Sequence, residues 1–224
     1  MSQKHNRSLG HIELTEKQAA FHKIMKNPRT RVILLSGPAG TAKTFLSVYT
    51  GLYKYYENSL IDILYLRNLT ESAEKGMGFL KGTLDDKFGP YMGPLEDKLE
   101  ELLLPAEKKH MELKQVIQAA PINFMRGASW NNKLVIADEA QNFTFKELTT
   151  LVTRIGEGSK LVICGDFMQS DINGKSGFEE MFKLFKDEES KENGIVSFSF
   201  NQNDIVRSKI LKFIISKLES HKQV

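Results

Sequence analysis

The chain has 224 residues, 41% apolar and 26% charged, with a formal net charge of +3. That is an ordinary soluble composition for one domain with a full core, spanning 1–224 with residues 1–14 as a flexible N-terminal segment. The lone cysteine, Cys164, excludes an internal disulfide. No run approaches the ~18 apolar residues of a membrane helix, and the opening "MSQKHNRSLGHIEL" lacks a signal peptide's apolar core. The expected location is cytoplasmic, with no membrane partner.

In chain order, "TEKQAAFHKIMKN" (15–27) predicts a helix and "RVILLS" (31–36) a strand. A glycine-rich loop follows, then a helix over "KTFLSVYTGLYKYY" (43–56) and a second strand, "IDILYL" (61–66). Residues 68–120 break the rhythm. They are helical and loop-like, and much longer than one crossover needs, as in a lid or an interface. Then come a strand "KLVIAD" (133–138), a helix "TFKELTTLVTRIG" (144–156), and a strand "KLVICG" (160–165). "FKDEESKENG" (185–194) reads as a charged loop, "IVSFSF" (195–200) as a strand, and "DIVRSKILKFIISKLES" (204–220) as a closing helix. Thr144 and Glu147 form a capping-box signature. The strands are continuously apolar, as buried parallel strands are. The alternation predicts an α/β fold, a mostly parallel doubly wound sheet whose ligand lies beyond the strands' carboxyl ends.

"GPAGTAKT" (37–44) nearly spells the phosphate-binding loop, Walker A, and it sits between a strand and a helix as that motif requires. Gly37, Pro38, Ala39, Gly40, Thr41 and Ala42 would turn backbone N–H groups toward phosphate, with the helix N-terminus behind them. Lys43 would reach the β- and γ-phosphates, Thr44 would ligand Mg²⁺, and Phe45 opens the helix beside the nucleotide. Ala42 stands where the motif has glycine. Directly before the helix, it is expected in the right-handed region, at little cost.

Asp138 and Glu139 end the strand "KLVIAD", at a distance from the loop that allows the two strands to be adjacent. Asp138 can hold Mg²⁺, and Glu139 can orient and deprotonate a water. Alone, they would be two carboxylates at a strand end. Gln169, in "GDFMQSD", can report on a γ-phosphate, though this segment can also be a plain turn. Gln18 can read the edge of adenine, though a glutamine on a helix surface is commonplace. His5, His11, His22, His110 and His221 are scattered, so no nuclease site is visible.

The motifs "GPAGTAKT", "DEAQN" and "GDFMQSD", in that order, resemble the superfamily 1 helicase ATPase core. More narrowly, with "ESAEKGMGFLKG", "GPYMGPLEDKL", "PINFMRG", "TRIGEGSK" and "NDIVRSKI", the chain is similar to the PhoH-like family from about Gln18 to Glu219. The resemblance implies a RecA-like P-loop NTPase fold with a helical insertion at about 68–120. It implies ATP and Mg²⁺ as cofactors, ATP hydrolysis, and action as a helicase-like motor on RNA or single-stranded nucleic acid. Ala42, Lys81, Ala128 and Ser208 depart from the family pattern. So compact and divergent a chain suits a bacteriophage-encoded member acting in the host cytoplasm.

Monomeric superfamily 1 motors place ATP between two such domains, and this chain has length for one. The resemblance therefore favours a homo-oligomer, a hexameric ring with ATP at subunit borders, in which Arg154 or Arg207 completes a neighbour's site. Arg67, Lys75, Lys81 and Arg126 are candidate nucleic-acid contacts, with Phe79, Phe88, Tyr91 and Trp130 as candidate stacking partners. A partner nuclease is one protein such a motor could serve. Two other functions fit a phosphate loop: a nucleotide-gated assembly protein with little hydrolysis, and a small-molecule kinase.

Overall fold

The computed structural model describes residues 9, 12–57, 62–68, 84–122, 129–170, 172, 174–206, 210, 213, 214 and 217. Helix α1 (Glu16–Lys26) leads into strand β1 (Val32–Ser36), helix α2 (Lys43–Tyr56) and strand β2 (Asp62–Arg67). Helices α3 (Leu84–Leu102) and α4 (Pro105–Leu113) precede β3 (Ile117–Pro121) and β4 (Lys133–Asp138). Helix α5 (Phe145–Val152), β5 (Lys160–Gly165), α6 (Phe178–Leu184), α7 (Glu188–Glu192) and β6 (Ile195–Ser199) follow. The strands form one parallel sheet in the order β3-β2-β4-β5-β1-β6.

The continuous apolar runs are explained by burial on both faces. Successive side chains on a strand point to opposite faces. Ile33, Leu35, Ile63, Tyr65, Leu134, Ile136, Val162 and Cys164 join one core with Phe21 and Met25 of α1, Leu46 and Leu52 of α2, and Leu95 and Leu99 of α3. Leu34, Leu64, Leu66, Val135, Ala137, Leu161 and Ile163 join the other, with Leu148 and Leu151 of α5 and Phe178, Met181 and Phe182 of α6. The chain leaves β1 over the first face and β5 over the second. The crevice where these neighbouring strands diverge is where such sheets bind ligands.

Several expectations change. The region 68–120 contains α3 and α4 but ends in an edge strand, β3, paired with β2. "IQAAP" has low strand propensity, and only its pairing makes it a strand. Strand β5 stands between β1 and β4, so the loop strand and the Asp138 strand are not adjacent. Residues 185–194 hold a short helix, α7, capped by Asp187, whose side chain accepts from Ser190 N–H at 2.7 Å. Helix α5 stops at Val152, although the Thr144–Glu147 capping box is present as read. Within 1–14, Leu9, Ile12 and Leu14 pack against the first core. Of the closing helix, residues 210, 213, 214 and 217 are helical, and the rest of 207–220 lies outside the described residues.

Candidate nucleotide site

The loop after β1 is shaped by two left-handed residues. Gly40 has φ 81°, and Ala42 has φ 64° and ψ 27°. The expectation of a right-handed Ala42 is overturned. Ala42 is the cap of α2, not its first residue, and its carbonyl accepts the first helical bond, from Leu46 N–H at 2.9 Å. Other helix caps in the chain, such as Thr15 and Thr144, are extended, so the left-handed turn belongs to this loop, and it costs an alanine roughly 1–2 kcal/mol. Its methyl packs against the first core, which offsets part of that cost. The buried Thr41 hydroxyl donates to Pro38 O at 2.9 Å and holds the loop together. The Lys43 ammonium donates to Gly37 O at 2.6 Å and Pro38 O at 3.0 Å. It thus curls over the loop with carbonyls in the place of phosphate oxygens.

Across the intervening β5, the Thr44 hydroxyl donates to Asp138 Oδ1 at 2.9 Å. The other carboxylate oxygen, Oδ2, accepts from the Tyr65 hydroxyl at 2.7 Å. Tyr65 is 1% exposed, and burial together with the Asp138 charge pushes its pKa far up, so it stays a donor. Asp138 is itself buried and held at both oxygens.

Glu139 follows in a left-handed conformation, φ 56°. For a non-glycine residue this is a strained state of the kind found at functional sites. Its Oε2 accepts from the Gln141 amide, and its Oε1 lies 3.7 Å from the Arg67 guanidinium. Burial, then the Asp138 charge, raises the Glu139 pKa, while Gln141, Arg67 and Lys43 pull it back. The buried Gln141 also accepts from Asp166 N–H at 3.1 Å through Oε1, and so ties the ends of β4 and β5 together. Asp166 Oδ1 accepts from Met168 N–H at 2.9 Å, and Gln169 N–H donates to Asp166 O at 3.2 Å. This tight turn presents the exposed Gln169 at the cleft.

The cleft has a volume of about 690 Å³, within the usual range for small-molecule sites. Lys43, Thr44, Asp138, Glu139 and Gln169 line it, together with Gln18, Phe45, Ile12, Glu13 and Leu14. Gln18 Oε1 accepts from Thr15 N–H at 3.0 Å, as part of the α1 capping box. Its NH₂ group has no partner among the described residues and can donate to a base edge. Pro94, Lys98 and Glu101, spaced by four and three residues on α3, bring the inserted helix to the same cleft. Lys98 has no ion pair among the described residues.

The other candidates are dispersed. Arg154 lies beyond α5 at the amino end of the strands, where its carbonyl accepts from Trp130 N–H at 3.1 Å. It is thus at the opposite end of the sheet from its own subunit's loop. Trp130, 2% exposed, is a core residue rather than a stacking platform. Arg207, Lys75, Lys81, Phe79 and Arg126, and the side chains of Phe88 and Tyr91, lie outside the described residues. Sequence reading missed Tyr65, Gln141 and Lys98. Tyr65 is hidden in a run of strand residues that looks like core. Gln141, three residues after Asp138 in "DEAQN", carried the one visible signal.

Among the described residues no group of three or more His, Cys, Asp or Glu could hold a metal. A hydroxyl and a single buried carboxylate suit Mg²⁺, which keeps its waters and takes further ligands from substrate phosphates. Thr44 and Asp138 would hold it, and the Lys43 ammonium, bound only to loop carbonyls, is placed for phosphate. The residues present fit a magnesium–nucleotide complex.

The PhoH-like protein family matches residues 12–219. A PhoH-like protein of Synechocystis is 36% identical over 185 residues, 82% of this chain and 55% of that protein. A PhoH-like protein of Bacillus subtilis is 34% identical over 189 residues, 84% of this chain and 58% of that protein. The chain therefore spans little more than half the length of these relatives. Among solved structures, it is similar to the Sulfolobus solfataricus SWI2/SNF2 ATPase core domain, at 13% identity and a TM-score of 0.43, over 88% of this chain and 46% of that one.

Proposed function

Because the chain belongs to the PhoH-like family of P-loop NTPases, we propose that it binds ATP with Mg²⁺ and hydrolyses it as a motor on RNA or another single-stranded nucleic acid. The observation that carries this reading is the Thr44–Asp138 hydrogen bond, with Lys43 and Glu139 in the same cleft. A hydroxyl and a carboxylate thus lie together with a second carboxylate beside them, which supports metal binding at Thr44 and Asp138 and water activation at Glu139. Mg²⁺, when bound, neutralises phosphate charge and orients the phosphates. The protein's own groups do the rest. Lys43 leaves the Gly37 and Pro38 carbonyls for phosphate oxygens, Thr44 and Asp138 position the metal, and Tyr65 keeps Asp138 aimed. Glu139 accepts a proton from the attacking water, and Gln169 reaches the same water from the β5 turn.

Val206 N–H donates to Gly40 O at 3.0 Å, so the segment leading to Arg207 docks on the phosphate loop. Val206 and, at helical spacing further along the chain, Ile210, Phe213 and Ile214 are 44–64% exposed. An exposed apolar stripe at that place supports a neighbouring subunit, and with it a ring in which an arginine, Arg207 or Arg154, enters the adjacent site. Native mass spectrometry should give a multiple of the chain mass.

The functional test is ATP turnover with and without single-stranded oligo(U). Stimulated turnover is the expected result. Tight ATP binding without turnover would instead indicate a nucleotide-gated assembly protein. Phosphoryl transfer only in the presence of a small acceptor would indicate a kinase.

A further inference from the structure

Arg67 ends β2 and pairs in register with Asp138 of β4, so its side chain emerges beside Glu139. The contact between them is a charge contact at 3.7 Å, too long for a hydrogen bond. Both side chains are partly open, 30% exposed for Arg67 and 38% for Glu139. A guanidinium carries five N–H donors in a fixed fork. Among the described residues, none of the Arg67 donors has a hydrogen-bond acceptor, and Glu139 is its sole charged partner. Glu139, by contrast, is held twice, by Arg67 at Oε1 and by the Gln141 amide at Oε2. The Gln141 tether is anchored, since its Oε1 also accepts from Asp166 N–H. The Arg67 tether is the exposed one, and a competing anion can take it.

We propose that Arg67 is the positioning residue through which single-stranded nucleic acid governs ATP hydrolysis. In the free protein its guanidinium holds Glu139 toward β2. A phosphodiester of the bound strand takes the guanidinium in a two-pronged hydrogen bond, which a 3.7 Å charge contact cannot match. Glu139 is then restrained only by Gln141 and can turn to the water. The same arginine therefore binds the strand and reports its presence to the site. This rests on the proposed reading of the cleft as an ATPase acting on nucleic acid.

The test measures ATP turnover of the full chain with and without oligo(U), for the wild type and Arg67→Gln. Arg67→Gln should raise unstimulated turnover about 2- to 5-fold, the worth of one partly exposed ion pair. It should lose most oligo(U) stimulation and leave the dissociation constant for ATP and the melting temperature near wild type. A merely structural role would move the last two instead. Arg67→Lys keeps the charge without the fork. It should retain low unstimulated turnover and bind oligo(U) more weakly. Unstimulated turnover of Arg67→Gln at or below wild type overturns the proposal, as does an equal oligo(U) stimulation factor in the two proteins. An unchanged oligo(U) affinity in Arg67→Lys overturns it as well. Failure of oligo(U) to bind or stimulate the wild type is a different result. It ends the nucleic-acid reading, whereas raised turnover in Arg67→Gln alone still reports the restraint on Glu139.

Discussion

At the amino end of the sheet, two cations are tied to backbone, while Lys133 pairs with Asp62 at 3.2 Å. Arg31 donates to Ser159 O at 2.7 Å and Gly156 O at 2.6 Å, and Lys160, 5% exposed, donates to Asn27 O at 2.8 Å. Ser159 closes the same end by donating to Trp130 O at 2.7 Å and accepting from Lys133 N–H at 2.9 Å. At the carboxyl end, side chain meets side chain around an open cleft: Thr44 and Tyr65 on Asp138, Arg67 and Gln141 on Glu139. Left-handed non-glycine residues occur at both ends, Gln115 and Asn132 just before β3 and β4, and Ala42 and Glu139 at the cleft, so backbone strain alone does not tell the ends apart. The same residue types fasten loops at one end and hold charges in readiness at the other. Arg31 and Lys160, whose bonds go to carbonyls away from any cleft, are structural, whereas Lys43 lines the cleft and its carbonyls can be exchanged for phosphate. A cation set against a carboxylate in a cleft can be exchanged for a ligand.

Substitutions at the two ends of the sheet should change different properties. The largest effect is expected for Glu139→Gln, which should bind ATP but lose about 10²- to 10⁴-fold in turnover, the usual contribution of a general base. Retained turnover would remove Glu139 from the chemistry. The opposite end should instead affect stability. Burial, then the charges of Lys54 and Arg31, lowers the Lys160 pKa from 10.5 to about 7. Between those values the unfolded chain binds more protons than the folded one, so stability rises with pH from about 7 to 10.5. The slope can reach at most about 1.4 kcal/mol per pH unit, the value for one proton. Lys160→Met should flatten that rise in denaturant titrations while turnover per folded molecule stays the same. A lost turnover would show that the two ends are not separable.

Smaller effects sharpen the picture of the cleft. Tyr65→Phe removes a hydrogen bond to a charged group, and such bonds contribute about 1.5–3 kcal/mol. It should require roughly ten-fold more Mg²⁺ for half-maximal ATP binding, at about 1.4 kcal/mol per factor of ten. ATP binding in excess chelator should not change. If both measurements shift together, Tyr65 supports the core rather than the metal site. Ala42→Gly is the mildest change. Relief of roughly 1–2 kcal/mol of left-handed strain is opposed by about 0.4–1 kcal/mol of added unfolded-state entropy. The urea midpoint should rise by the equivalent of less than about 1 kcal/mol, with ATP affinity near wild type.

Much of the molecule was legible in advance, for reasons visible in particular residues. Helix α2 begins at Lys43 as read, because the loop motif and the helical pattern agree there. Strands β1, β2, β4 and β5 were found because burial on both faces leaves continuous apolar runs, and β6, only partly buried at the sheet edge, was found from its apolar and aromatic residues. Strand β3 escaped because "IQAAP" has no strand signal of its own. Ala42 was misjudged because it caps the helix at the end of a tightly turned loop, in which Gly40 is also left-handed, and nothing in the local sequence apart from the motif's usual glycine signals that turn. Tyr65 was invisible as a site residue because its ring belongs to the core and only its hydroxyl reaches Asp138.

The phosphate loop, the carboxylates at Asp138 and Glu139, and the alternation that makes a parallel sheet are all written in short stretches of residues. These are local: a few neighbouring residues carry both the signal and its chemistry. The tertiary structure decided the strand order, with β5 between the loop strand and the Asp138 strand. It decided the pairing of Thr44 and Tyr65 on one carboxylate and of Arg67 and Gln141 on the next. Those contacts join residues up to 94 positions apart. They arise from how the strands are ordered and registered, which depends on the packing of both sheet faces at once and which no short segment encodes.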